Sequence, residues 1–532
     1  MIRNIVRMPK GNTKVYRCNR DKIEERRLSD YLKPFFTDRF MLFLMLVIIM
    51  PACGPGDKEP LSQAQFEELD VSSADELGVA SGFTSQVLIS SMDSLGPNTK
   101  FGYDVSGLAY SGDGTEGILW VNHELIKPMF TSGYYGDIAR LRKQIEIERD
   151  AVGATALRVE RTSKGWSYDI ADGLHQRINA KEEIVLDETV MGKDRARGTT
   201  ANKAAVHTSW NTFLSAEAGF DQYYGDYDYQ TANYTPGIFR WASFFRDDPR
   251  LYGWIVETDL NTGEDRKLTD LGRAKRSGLA LAEDQNNRIL YFTSSSEDGY
   301  FFRYTGIKEN WPSGGNLYVA DLMTSKWIPL TLEQPKLRKL FDNPLEIRIN
   351  LAIAAAAVGA TTFDSPGGLA ISPLDGRLYL ATGNDLNTQN YHGSVMVFDI
   401  DRDDFSWDTI VEGGEDSGLS CPAELAFDQQ GNLWIASAIP SQLMNKGAYT
   451  AYGNNALFVL EQGKRKPMRI ANAPVDARFG GLMFTSDDQF LFVSVQQPGA
   501  RSKSIWDFDF TSHWPEGGKA KPKSSVVVLS RE

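Results

Sequence analysis

Along this chain, apolar residues recur in paired short runs that alternate with polar ones and are joined by turns of Asp, Asn and Gly. Residues 106–124 read SGLAYSGDGTEGILWVNHE, and residues 277–295, 367–385, 423–440 and 480–498 repeat the pattern. Each copy has a small residue, a run opening with Leu, a turn, and a second run with an aromatic near its start. Period-two runs around such turns predict β-hairpins. Residues 198–219 form a weaker sixth copy, clearest around Trp210 to Ser215. Further strand-like runs follow at 252–268, 315–330, 393–401 and 455–463, giving about four strands per repeat. Repeats of this kind close radially. The expected fold is all-β, a six-bladed β-propeller with a few helical insertions. Helical patterns occupy 137–153 and 333–360, the second broken at Pro344.

In a propeller the innermost strand of each blade lines the axis. The start of that strand neighbours the end of the second, so polar residues at both places gather at one mouth of the channel. The first ring offers Ser106, Ser277, Gly367, Ala423 and Gly480, with Lys203 nearby, and no carboxylate. The second offers Asn122, His123 and Glu124; Glu217; Ser294 to Ser296; Asn384 and Asp385; Gln496 and Gln497. Oxygen ligands from Glu124, Glu217 and Asp385 on separate strands suit a calcium ion, which takes six to eight oxygens. As turn chemistry, Asn384-Asp385 needs no metal. The chain has no phosphate-binding Gly-rich loop, nucleophile elbow or HExxH helix.

Charge narrows the partners. The net charge is −13, yet the first 40 residues hold 11 Lys and Arg against 5 Asp and Glu, leaving −19 on the remainder. An acidic body argues against nucleic acid or an anionic membrane surface as partner. Three cysteines, with no CxxC pair, exclude a Cys-rich zinc site. The one strongly apolar stretch, residues 40–53, is too short to span a membrane and reads as a signal-peptide core. It ends in Met50-Pro51-Ala52-Cys53-Gly54, similar to a bacterial lipobox. The expected layout is therefore a signal and lipobox segment (1–53), a polar tether (54–80) and a propeller (81–532). The chain would be an exported monomer, meeting the membrane only through a lipid on Cys53.

Several longer motifs, in order from about Phe101 to the end, resemble the PhoX family of secreted bacterial alkaline phosphatases. They include LWVNHE (119–124), YGWIVETD (252–259), DLGRAKRSG (270–278), AVGATTFDSP (357–366) and VSVQQPG (493–499). The resemblance implies a six-bladed propeller holding iron and calcium on its axis, metals that polarise a phosphate ester. Carried over residue by residue, the family's NHE is intact as Asn122, His123 and Glu124. Lys203, after Asn202, stands where the resemblance implies a cysteine ligand. Ser277 and Gly367 replace glutamates, Ser365 replaces an arginine, and Glu217 keeps one acidic position. The scaffold motifs survive and most ligand motifs do not, so the family's iron-containing cluster is not expected to assemble; Glu297, Asp298 or Asp385 would have to complete a different site. Two functions follow. One is a divergent phosphatase or phosphodiesterase using Glu124, Glu217 and Asn202, with calcium as the candidate cofactor and Lys203 and Asn202 as catalytic candidates. The other is a non-catalytic propeller whose Asn122, His123, Glu124, Lys203, Arg276 and Arg478 surround a phosphate ester, another anionic ligand or a partner protein.

Overall fold

A computed structural model describes residue 61 and residues 66–136, 138–170, 175–294, 298–503 and 510–532. The signal and lipobox segment, with Cys53, lies outside the described residues, as does Glu297. All described residues belong to one compact unit.

Six sheets surround an axis. The innermost strands, one per blade, are Val105–Gly112, Asn202–His207, Arg276–Glu283, Pro366–Ile371, Pro422–Phe427 and Arg478–Phe484, in blades 1 to 6. Each packs against the next and the last returns to the first, closing the ring. Every repeat read from the sequence, including the weak sixth, is the inner hairpin of a blade. The turns have a common cause. Asp113, Asp284, Asp375, Asp428 and Asp487 each accept a backbone amide two residues on, with N···O distances of 2.7, 2.7, 3.2, 3.1 and 3.1 Å. Such Asx turns reverse the chain without a second glycine.

The recurring aromatic of the second strand wedges between blades. Trp120 stacks on Phe213 at 5.0 Å, Tyr379 meets Phe427 edge-on at 4.9 Å, and Trp434 meets Phe484 at 5.6 Å. Burying each ring contributes about 2–3 kcal/mol. At two glycines of the inner strands there is no room for a side chain. A Cβ on Gly107 would lie 1.9 Å from the Lys203 carbonyl oxygen, and one on Gly367 would lie 2.4 Å from that of Ala423. Glycine in the Ser365-Pro366-Gly367-Gly368 lead-in therefore lets blade 4 close on blade 5.

Blade 2 is the largest: Glu183–Val190 joins its outer edge parallel to Glu264–Leu268. The helical insertions form as expected, as Arg142–Ala151, Pro344–Ile349 and Leu351–Val358. Pro344 opens its helix behind an Asn343 cap, whose side chain accepts the Glu346 amide at 3.1 Å. The tether expectation needs correction at its C-terminal end. Gly78–Val79 pairs with Asn472 and Ala471 as the outermost strand of blade 5. Phe66, Leu69 and Leu77 pack against the core of blades 5 and 6. These apolar residues, spaced among acidic ones, dock the segment. Phe83–Ser90 then completes blade 6 beside Ser525–Arg531.

Candidate functional site

The starts of the inner strands and the ends of the second strands meet at one mouth of the channel. Four residues that lead into inner strands, Asp104, Ala201, Ser365 and Cys421, have φ of 54°, 55°, 41° and 52°. This left-handed conformation is costly for non-glycine residues and is held there by the surrounding ring. All six inner hairpins also shift register just after this point. Bulges of this kind re-aim side chains, so strict alternation does not tell which ones face the axis.

Most residues of the sequence-derived rings stitch blades together. Asn122 is wholly buried; its Oδ1 accepts Trp120 Nε1 at 2.9 Å and Ser215 Oγ at 2.8 Å, and its Nδ2 donates to the Lys203 and Ala204 carbonyls. Asn202 is likewise closed between Thr199 and Ser215. Ser106 donates to the Asn202 carbonyl at 2.9 Å, and Ser277 donates to that of Pro366. His123 points into the core beside Phe101, bonded to Thr155 at 2.8 Å. Burial, with the Arg177 charge, holds its pKa well below the usual range, so it is neutral. Arg276 is fully buried and donates to the carbonyls of Gly253, Leu271 and Gly272. Its two terminal nitrogens are spent on backbone carbonyls.

Glu217 is also committed. One carboxylate oxygen accepts Lys267 Nζ at 2.8 Å, Thr199 Oγ1 at 2.9 Å and the Thr200 amide at 3.2 Å. The other accepts the amides of Gly253 and Trp254 at 2.7 and 3.0 Å. Lys267 is itself completely buried. Asp385 caps its own loop, accepting the Asn387 amide at 2.8 Å. Glu124, Glu217 and Asp385 are thus not a ligand set, and among the described residues no three His, Cys, Asp or Glu side chains converge to hold a metal. The metal cluster implied by the sequence resemblance does not fit this donor set. Glu217 is saturated and has no lone pairs left for a cation, and the ammonium of Lys203 on the inner strand of blade 2 would repel one.

What remains at the axis is a mixed-charge cluster. Glu124 accepts Gln496 Nε2 at 3.0 Å and has Arg478 Nη2 at 3.6 Å. Arg478 Nε donates to Gln496 Oε1 at 2.8 Å. Asp104, wholly buried, accepts Gln496, Gln497 and the Leu125 amide through Oδ2, at 3.2, 3.1 and 3.1 Å, while its Oδ1 has no hydrogen-bond partner. Burial, reinforced by the Glu124 charge, pushes Asp104 up to about 7 against the opposing pull of Arg478 and the two glutamines. Glu424, on the inner strand of blade 5, is half-buried. Burial pushes it up to about 7 as well, Glu124 adding to the rise and Lys203 and Arg478 opposing it.

Asp104 and Glu424 escaped the sequence reading. The signal for Glu424 was there: Gly107, Gly278, Gly368 and Gly481 precede the Leu of their repeats, and Glu424 stands in that glycine column. The neighbouring glycine makes its space, since a Cβ on Gly368 would lie 2.9 Å from Glu424 Oε2. Above the cluster a cavity of about 580 Å³ opens between loops of blades 1, 2, 5 and 6, with Asp104, Arg478 and Gln497 in its lining. A second cavity, about 480 Å³, enters from the opposite mouth, lined largely by glycine and apolar residues.

Three comparisons place this arrangement. A Pseudomonas fluorescens PhoX, solved in complex with vanadate, a transition state analogue, superimposes with a TM-score of 0.78 at 23% identity, over 88% of this chain and 98% of that one. A Xanthomonas campestris gluconolactonase (TM-score 0.39, 11% identity, 90% of this chain and 99% of that one) and an Agrobacterium tumefaciens regucalcin (0.34, 10%, 84% and 93%) are far more distant. No curated protein matches the chain. The family model described as alkaline phosphatase PhoX matches residues 64–499. With that span covering most of the propeller, the chain belongs to the PhoX alkaline phosphatase family.

Proposed function

We propose that this chain keeps the PhoX propeller but has exchanged metal-dependent hydrolysis for binding of a small anionic ligand at the channel mouth. One observation carries the reading. Lys203 brings an ammonium to the axis where the resemblance implies a thiolate ligand, and Arg478 beside the cluster has its nearest carboxylate only at 3.6 Å. A bidentate arginine–carboxylate pair closes to about 2.7–2.9 Å. Both cations therefore retain capacity for an outside anion.

The test is metal analysis of the purified protein, with turnover of 4-nitrophenyl phosphate in the presence and absence of added calcium and iron. The expected result is no stoichiometric iron and no turnover. Bound iron with turnover that Glu124→Ala abolishes overturns the reading. We also propose export with lipid on Cys53 and a monomeric state. Metabolic labelling with a fatty acid, lost in Cys53→Ser, tests the first; sedimentation tests the second.

A further inference from the structure

The cavity above the axis has two unlike ends. Its floor holds Arg478, Asp104 and Gln497; its walls include Leu125, Pro128, Ile238, Phe239, Ile439 and Pro440. Ile238 is 70% exposed, an apolar side chain of its size left open at the rim. About 580 Å³ lies within the range of small-molecule sites, which pair apolar walls with a few convergent polar groups. Lys127 and Asp476 also line it, but each is occupied: Lys127 donates to the carbonyls of Gly499 and Ala500, and Asp476 holds Arg501.

Charge selects the head group. Arg478 is flanked by Glu124, and Asp104 and Glu424 feel its charge. A phosphate dianion on Arg478 meets the acidic Glu124 and Asp104 beside it. A singly charged carboxylate meets half that repulsion and still matches the guanidinium fork. The apolar walls would be left wet by inorganic phosphate and covered by a hydrocarbon body.

We propose that this cavity binds an organic carboxylate with an apolar body, the carboxylate on Arg478 and the body against Ile238, Phe239, Ile439 and Pro440. The proposal rests on the binding function above and names its ligand class. The experiment is calorimetric titration of the full chain at neutral pH with 4-phenylbutanoate, 4-phenylbutan-1-ol and inorganic phosphate. 4-Phenylbutanoate is expected to bind at least about tenfold tighter than either comparator. Arg478→Gln should weaken it about tenfold, and Ile238→Ser about threefold. Phosphate binding as tightly as 4-phenylbutanoate, no binding of 4-phenylbutanoate, or binding indifferent to Arg478→Gln each overturns the proposal. Should Arg478→Gln fail to fold, Ile238→Ser, at an exposed position, decides alone: unchanged affinity overturns it. None of these results depends on turnover of a phosphate ester, so the loss-of-hydrolysis reading stands or falls separately.

Discussion

Glu217 in blade 2 and Glu424 in blade 5 lie in sheets on opposite sides of the ring. Around Glu217 the fold supplies three amides, a hydroxyl and a buried ammonium. Around Glu424 it supplies glycine and the charges of Lys203 and Arg478. The first carboxylate is fully used in holding blade 2 together. The second is kept short of partners, and Asp104 leaves its Oδ1 without one. A carboxylate in a family of metal-dependent phosphatases is thus no sign of a metal until its lone pairs have been counted.

The sharpest way to break the comparison is to remove the charge from each. Glu217→Gln leaves the Lys267 ammonium buried without a counter-charge and should cost about 3–5 kcal/mol in urea unfolding. Glu424→Gln should cost nothing comparable at neutral pH; equal losses would collapse the distinction. The next effect depends on pH. Folded Asp104 keeps its proton up to about 7, whereas the unfolded carboxyl releases it near 4. Its contribution to stability is therefore complete below about pH 4 and is lost as pH rises through 7. Asp104→Asn has no proton to lose, so it should gain on the parent across that window, by at most about 4 kcal/mol at pH 8. Unfolding midpoints at pH 4, 6 and 8 measure this, and a constant difference would contradict it. Gly107→Ala, which drives a methyl into the Lys203 carbonyl, should cost about 1–3 kcal/mol in the same assay. Smallest of all, Asp385→Asn keeps the acceptor for the Asn387 amide and should shift stability by less than about 0.5 kcal/mol. A larger loss would restore Asp385 as a candidate for more than turn chemistry.

The blades were legible because five of the six inner hairpins carry local physics: an Asp that turns the chain, a Leu opening the inner strand and an aromatic in the second. Even the weak copy at 198–219 folds as its stronger relatives do. The site was less legible for two reasons. A bulge in every inner strand breaks the two-residue count at the axis, so the count stopped at Ala423 and passed over Glu424. And sequence cannot show whether a polar side chain is already satisfied: Asn122, Glu217 and Arg276 looked like binding residues until their partners, some 50 to 100 positions away for several of them, were in view. Lys203, the residue that most clearly departs from the family pattern, was legible from the motif alone.

Blade 6 has a kinetic consequence. Its outer strands bring Ser90 and Ser525 together at 2.8 Å across 435 positions of chain. The inner hairpins form from neighbours and can appear early, whereas this seam must wait for distant segments to meet. Until it seals, Ser525–Arg531 presents an apolar edge able to pair with another chain. The open ring is thus the state in which this protein is most exposed to self-association, and anything that hastens the docking of Phe83–Ser90 shortens that exposure.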